Sequence, residues 1–230
     1  MEQNNYISTV YNETRTPKTE YPFRLASYLF DRFSINRGNK LLEVGCGRGD
    51  FLEAFQSLGA ICYGTDLSTN YIANERGIET TCCDVSSESL PYEDKFFDVV
   101  YQKSLLEHLY SPDNLMKEIH RVLKPGGKVI ILTPDWVSQM KVFYEDFTHC
   151  RPYNTTSMHD LLIIYGFSEV LAERFYQLPV LWKYPLLKIP SGFLRLFLTT
   201  PAARKLTSFT GIKFFRWSVE LMVLGAGVKN

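Results

Sequence analysis

A chain of 230 residues, 45% hydrophobic and 22% charged, is long enough for one large core and too ordinary in composition for a fibrous or disordered protein. Its 25 basic and 25 acidic residues leave a formal net charge of zero, so no global attraction for nucleic acid is expected. The five cysteines, Cys46, Cys62, Cys82, Cys83 and Cys150, are odd in number and contain no C-x-x-C pair, which argues against a disulfide framework and a structural zinc site. Met1-Glu2-Gln3-Asn4-Asn5 has neither the basic region nor the apolar run of a signal peptide, and no window reaches the ~20 uncharged residues of a membrane span. The expected location is the cytoplasm, at most peripheral to the inner face of the membrane.

Residues 21–33 set Phe23, Ala26, Phe30 and Phe33 at helical spacing, predicting an amphipathic cap or lid helix. Lys40-Leu41-Leu42-Glu43-Val44 reads as a strand running into glycines, and Phe51, Leu52, Phe55 and Leu58 as the following helix, closed by Gly59. A second strand at 61–64, a helix at 68–76 stopped by Gly77 and a third strand at 78–82 continue the alternation. The fourth strand is expected at 96–101. Ser111-Pro112 predicts a helix with Ser111 as N-cap and proline at its first position, and Leu115, Ile119 and Val122 as its stripe. Lys124-Pro125-Gly126-Gly127 should end that helix and deliver a fifth strand at 128–133. Strands alternating with helices in this way predict a doubly wound, mostly parallel sheet, with ligands at the carboxyl ends of its strands. A loop at 134–156, a helix at 157–165 and strand-like runs at 167–176 and 220–228 follow, the last two expected to pair antiparallel.

The loop Gly45-Cys46-Gly47-Arg48-Gly49 lets backbone approach a ligand closely and aims a helix N-terminus at it. Dinucleotide enzymes need G-x-G-x-x-G, but position 50 is Asp50 and the third glycine is Gly49. Asp66, at the end of the second strand, stands where a carboxylate accepts bonds from ribose hydroxyls. Glu43-Val44-Gly45-Cys46-Gly47-Arg48-Gly49 resembles the first motif of the class I S-adenosylmethionine-dependent methyltransferases. Thr81-Cys82-Cys83-Asp84-Val85, Leu90-Pro91, Phe97-Asp98-Val99-Val100, Leu106-Glu107-His108-Leu109 and Arg121-Val122-Leu123-Lys124-Pro125-Gly126-Gly127 fit the same family in order. The resemblance covers residues 40–135 closely and implies a Rossmann-like three-layer α/β/α sandwich, with a mostly parallel seven-stranded sheet, an antiparallel terminal strand and a helical insertion before it. It further implies S-adenosylmethionine as cofactor, with S-adenosylhomocysteine as product. Glu43, Gly45, Cys46, Gly47, Gly49, Asp66, Leu67, Gln102, Lys103 and His108 would bind it, and Asp84 and Val85 would meet its adenine. The strand-four exit Tyr101-Gln102-Lys103-Ser104 is not the Asn/Asp-Pro-Pro-Tyr/Phe of enzymes that methylate base amines, so no nucleic-acid partner is implied.

Methyl transfer from a sulfonium needs near-attack geometry and, for a hydroxyl acceptor, a base. His120 and His159 sit within helical patterns and read as structural or surface residues. His149, in Glu145-Asp146-Phe147-Thr148-His149-Cys150-Arg151-Pro152-Tyr153, lies in the loop after the fifth strand and is the candidate base, with Asp146 as orienter and Arg151, Tyr153 and Lys103 as acceptor contacts. Glu145, Asp146 and His149 are too few to predict a metal site.

Residues 178–217 hold seven bases, Lys183, Lys188, Arg195, Arg204, Lys205, Lys213 and Arg216, and no acid occurs between Glu173 and Glu220. Interleaved with aromatic and aliphatic residues, they suit an interfacial helix at an anionic surface; the bland alternative is a helical cap or dimer surface whose apolar face is core. The expected organisation is a cap helix in 1–39, a methyltransferase core in 40–177, the basic insertion at 178–217 and a terminal strand in 218–230. The expected activity is O-methylation of a small or glycan-type acceptor, anionic and lipid-linked acceptors included. Carbon or nitrogen methylation of a natural product and a non-catalytic cofactor-binding scaffold are the alternatives.

Overall fold

The computed structural model describes residues 17–68 and 77–230. Helices are numbered here among those residues; the helix expected at 68–76 lies, apart from Ser68, outside them. Helix α1 (Tyr21–Arg32) leads into β1 (Lys40–Val44), α2 (Asp50–Ser57), β2 (Ile61–Asp66), β3 (Glu79–Cys82), β4 (Phe97–Lys103), α3 (Asp113–Val122) and β5 (Leu123–Pro134). Then come α4 (Trp136–Gln139), α5 (Thr155–Ile164), β6 (Phe167–Phe175), four helices α6 (Pro179–Lys183), α7 (Lys188–Phe197), α8 (Thr200–Thr210) and α9 (Lys213–Val219), and finally β7 (Met222–Lys229).

The seven strands form one sheet in the order β3-β2-β1-β4-β5-β7-β6. Neighbours from β3 to β5 pair parallel, and β7 runs antiparallel to both β5 and β6. The period of two along each strand sends adjacent residues to opposite faces. Leu42, Val100, Val129 and Ile131 join a core with Leu115, Met116 and Ile119 of α3 and Met158 and Leu162 of α5, whereas Leu41, Val99, Tyr101 and Ile130 pack with Leu25 and Leu29 of α1 and Leu52 and Phe55 of α2. Those two apolar faces are what make the fold three layers.

Two local expectations are corrected. Helix α3 begins at Asp113, and Pro112 rather than Ser111 is the cap residue; the Ser111 hydroxyl still accepts the Asp113 amide at 3.2 Å. Lys124-Pro125-Gly126-Gly127 does not precede β5 but lies inside it, looped out where the register with β4 jumps from Phe97↔Leu123 to Val99↔Lys128. The loop at 134–156 also contains α4, because Asp135 caps it by accepting the Ser138 amide at 3.0 Å, and a 3-10 turn at Phe143–Glu145.

Candidate active site

At the end of β1 the chain reverses into α2 through Gly45, Gly47 and Gly49, all three in the left-handed region at φ 74°, 51° and 79°. A side chain there would be strained in any surroundings. Above Gly47 there is open space, while a Cβ on Gly45 would press on Leu105 at 3.2 Å. The loop amides are committed within the protein: Gly45 and Cys46 donate to the Thr65 carbonyl, Gly49 to the Cys46 carbonyl, and Gly47 to Asp66 Oδ2 at 2.8 Å. The expectation that this helix N-terminus receives a ligand's polar groups is therefore revised. The first turn of α2 carries Asp50 and Glu53, so the positive end of the helix is already answered by its own acids. Asp50 is also paired with Arg48 of the loop at 2.6 Å, so the turn carries charge of both signs.

Two more carboxyls, Glu43 and Asp66, lie beside the loop. Glu43 is 3% exposed, its Oε2 has no hydrogen-bond partner among the described residues, and burial together with the neighbouring Asp66 and Asp50 holds its carboxyl well above the usual range. Burial also raises Asp66, against the opposing bonds from the Gly47 and Ser68 amides. Gln102, at the end of β4, is buried with both polar side-chain atoms unpartnered among the described residues. Lys103 is pulled down by burial and partly restored by Glu107 and Glu43. Ser104 turns the chain in the left-handed region at φ 55° while its amide holds the Leu132 carbonyl at 2.8 Å, and this turn is what lays Leu105 over Gly45.

The other expected cofactor contacts are uneven. Leu67 is exposed at the end of β2. The Cys46 side chain is buried in the core beneath the loop, and Val85 belongs to the opposite core. Asp84 accepts the Ser86 amide and both the Ser86 and Ser87 hydroxyls, so its carboxylate is held in its own turn and below the usual range.

Beside the loop, from Lys103 and Ser104 to the loop after β5, lies a cleft of about 720 Å³. His108 and His149 stand edge to face in it, ring centroids 4.8 Å apart. His149 Nδ1 is 2.8 Å from the Phe143 carbonyl, which accepts only, so Nδ1 carries the hydrogen and Nε2 the lone pair. Asp146 is thus not the group behind the ring: its Oδ2 lies 4.0 Å from Nε2, while Oδ1 accepts the Thr148 amide and hydroxyl. The orienter is Phe143, a residue whose role as a backbone acceptor has no side-chain signature. The Thr148 hydroxyl, having given its hydrogen to Asp146, accepts from His108 Nδ1 at 2.8 Å. Burial, then the nearby His149, pushes His108 down to about 4, which keeps it neutral.

Two expected acceptor contacts do not line this cleft. Arg151 donates to the Tyr110 carbonyl at 3.0 Å, and Tyr153 is buried in the core with its hydroxyl unpartnered among the described residues. The cations that do reach it, besides Lys103, are Arg204 and Arg216 from the helices before β7, and both are held by buried Glu220, Arg216 Nε at 2.8 Å. Arg204 also pairs with Glu145 across the cleft. The remaining unforeseen residue is Glu107, 1% exposed, with Oε2 on the Thr133 hydroxyl at 2.9 Å and Oε1 unpartnered among the described residues. Burial above all raises its carboxyl to about 7. Its signal was in the Leu-Glu-His-Leu segment, one place before a residue already singled out. Glu107, His108 and His149 each offer a ligand atom within 4.8 Å of the others, so they, and not the Glu145, Asp146 and His149 grouping read from sequence, are the described residues that could hold a metal ion.

Comparison with known proteins agrees with this architecture. The family described as "Methyltransferase domain" matches residues 42–131, from β1 into β5. A sterol 4-C-methyltransferase of Caenorhabditis elegans is 32% identical over 54% of this chain and 41% of its own length, and a phosphoethanolamine N-methyltransferase of Zea mays is 33% identical over 62% and 31%. The chain thus spans less than half the length of these two relatives. Phosphoethanolamine N-methyltransferase 2 of Haemonchus contortus, solved with S-adenosyl-L-methionine, superposes with a TM-score of 0.69 at 21% identity, over 98% of this chain and 59% of that one. A Haloferax volcanii putative methyltransferase, solved with the Trm112 activator, superposes over 100% and 98% with a TM-score of 0.68 at 17% identity. With its strand order, its glycine loop and these likenesses, the chain carries a methyltransferase domain over residues 42–131 and is similar to S-adenosylmethionine-dependent methyltransferases.

Proposed function

We propose that the protein is an S-adenosylmethionine-dependent O-methyltransferase acting on a polar, polyhydroxylated acceptor of glycan type. The observation that carries the cofactor reading is the open glycine turn with a carboxylate fixed at its edge: a Cβ on Gly47 would meet open space, and the Gly47 amide holds Asp66 at the end of β2. A carboxylate at the strand end suits ribose hydroxyls, and the glycine spacing, with Asp50 where a dinucleotide fingerprint needs glycine, does not suit a dinucleotide. When bound, S-adenosylmethionine supplies an electrophilic methyl carbon. Asp66 would accept from its ribose, Glu43 would order the loop, and Gln102 and Lys103 would line its methyl end beside the cleft.

In the cleft, His149 Nε2 would take the proton of the acceptor hydroxyl as oxygen attacks the methyl carbon and the carbon–sulfur bond breaks, leaving the neutral thioether S-adenosylhomocysteine. The fixed Nδ1–H bond to Phe143 supports this role, since it keeps the lone pair on Nε2. The acceptor class is supported by the lining. Arg204, Arg216, Gln139 and Gln177 alternate with Glu145, Asp146 and Glu220, and Phe147 offers an exposed ring. Paired bases leave no net positive pocket, which favours many hydroxyls over a single anionic group.

A cell extract incubated with the protein and methyl-labelled cofactor tests both halves by mass spectrometry. Label on a hydroxyl oxygen of a saccharide supports the proposal. Label on carbon or nitrogen replaces the acceptor reading while keeping the cofactor reading, and cofactor binding without any labelled product supports the scaffold alternative. A second reading rests on the ligand set Glu107, His108 and His149, in which a divalent cation would polarise the hydroxyl instead. Activity that survives chelator treatment excludes it.

A further inference from the structure

Helix α7 carries its apolar face outward. From the preceding 3-10 turn, Leu186, Ile189, Phe193, Leu196 and Phe197 recur at steps of three and four, the spacing of one helical stripe, and every one is exposed, Leu186 at 79% and Phe197 at 84%. Toward the protein, Ser191 is buried, Leu194 is half-buried and Arg195 donates to the Tyr176 hydroxyl. The junction between α8 and α9 adds exposed Phe209 and Ile212, and α9 packs against α7. For α7, then, the apolar stripe is not internal core, although Leu181 and Ala203 of the neighbouring helices are buried.

The charges of the segment divide as well. Arg204 and Arg216 are paired with Glu220, while Lys183, Lys188, Lys205 and Lys213 are exposed and no ion pair is recorded for these four among the described residues. With no Asp or Glu between Glu173 and Glu220, the segment offers no acid of its own to neutralise them. Three of these lysines lie over aromatic rings, Lys183 at 5.5 Å from the Tyr184 centroid, Lys188 at 6.0 Å from that of Tyr176 and Lys213 at 5.1 Å from that of Trp217.

From this we infer that the outward face of α7 and its flanks docks on an anionic lipid bilayer, its Leu, Ile and Phe side chains entering the interface and its lysines meeting the head groups. A second copy of the chain is a poorer occupant, because a two-fold contact would set these lysines against one another with no acid between them. The contact is peripheral, since among the described residues no helix is long and apolar enough to cross a membrane. The same helices supply Arg204 and Arg216 to the cleft, so docking holds the cleft near the lipid surface.

Co-sedimentation of the full chain tests the inference, with vesicles of phosphatidylcholine alone or with about one-third phosphatidylglycerol, at low and high salt. Expected is binding to anionic vesicles roughly tenfold or more above neutral ones, reduced by salt, and lost to a similar degree in Phe193→Ser/Phe197→Ser and in a Lys183→Glu/Lys188→Glu/Lys205→Glu/Lys213→Glu variant. All these positions are exposed, and unchanged circular dichroism and S-adenosylhomocysteine affinity would show the variants folded. No vesicle binding, equal binding to neutral vesicles, or binding unaffected by either variant overturns the inference. So does a concentration-dependent dimer in sedimentation velocity that Phe193→Ser/Phe197→Ser abolishes while vesicles fail to bind. The test does not depend on the acceptor: failed methyl transfer leaves the vesicle result standing, and failed vesicle binding leaves the methyltransferase reading standing.

Discussion

The two halves of the site are built in opposite ways. On the cofactor side, a strand, a five-residue turn and a helix bring their parts together from nearby in the chain: Gly47 and Asp66, joined by a 2.8 Å bond, are 19 residues apart. On the acceptor side, Arg204 meets Glu145 from 59 residues away, and the Leu221 amide meets the Ser138 hydroxyl across 83 residues. The first arrangement is a property of a local motif on strand ends. The second is a property of the whole fold, in which β7 must return beside β5 before the helices preceding it can close the cleft. A scaffold of this kind can keep its cofactor end and change acceptors by altering one long segment.

The sharpest way to break the comparison is to separate chemistry from cofactor binding. His149→Ala should lower turnover by roughly 10²–10⁴ with cofactor affinity nearly unchanged, measured by steady-state kinetics and calorimetry. Equal losses in both would mean that the two sides are not independent. Conversely, Asp66→Ala should weaken S-adenosylhomocysteine by more than about tenfold, since ribose bonds to a charged group are worth about 1.5–3 kcal/mol each. Asp66→Asn, which keeps the shape near Gly47, should lose less, and an unchanged dissociation constant in both variants would place the ribose elsewhere.

Smaller effects probe the packing beneath the loop. A Cβ on Gly64 would sit 2.7 Å from Leu52 Cδ1 and 2.9 Å from Cys46 Sγ, so Gly64→Ala should cost about 1–3 kcal/mol in urea unfolding and loosen the cofactor more than the acceptor. The mildest test is Glu43→Gln. Folded Glu43 keeps its proton well above the pH at which the unfolded chain releases it, so this residue makes stability fall as pH rises through the range between the two values. The variant should flatten that fall in unfolding curves at pH about 5 and about 8. A steeper slope would mean that Glu43 is ionised in the fold.

The same contrast explains what could be read from the sequence. The strand–helix alternation of a doubly wound sheet, the antiparallel pairing of 167–176 with 220–228 and the glycine loop follow from hydrophobic period and turn residues, which are local signals, while the count of seven strands is what the family resemblance implies. Arg151 and Tyr153 were expected to meet the acceptor because they neighbour His149 in sequence, yet their side chains turn to the Tyr110 carbonyl and into the core. Glu220, Arg204 and Arg216 were visible as the edge of an acid-free run, but nothing local says that two of its bases pair with the first acid that follows. The Phe143 carbonyl that orients His149 carries no side-chain signal.

The central claim is that the open glycine turn receives a sulfonium cofactor. Isothermal calorimetry of the intact chain with S-adenosylmethionine, S-adenosylhomocysteine and NAD in parallel tests it most directly. The account predicts saturable binding of both sulfur ligands at one site per chain and no heat from NAD; saturable NAD binding with silence from both sulfur ligands would contradict it.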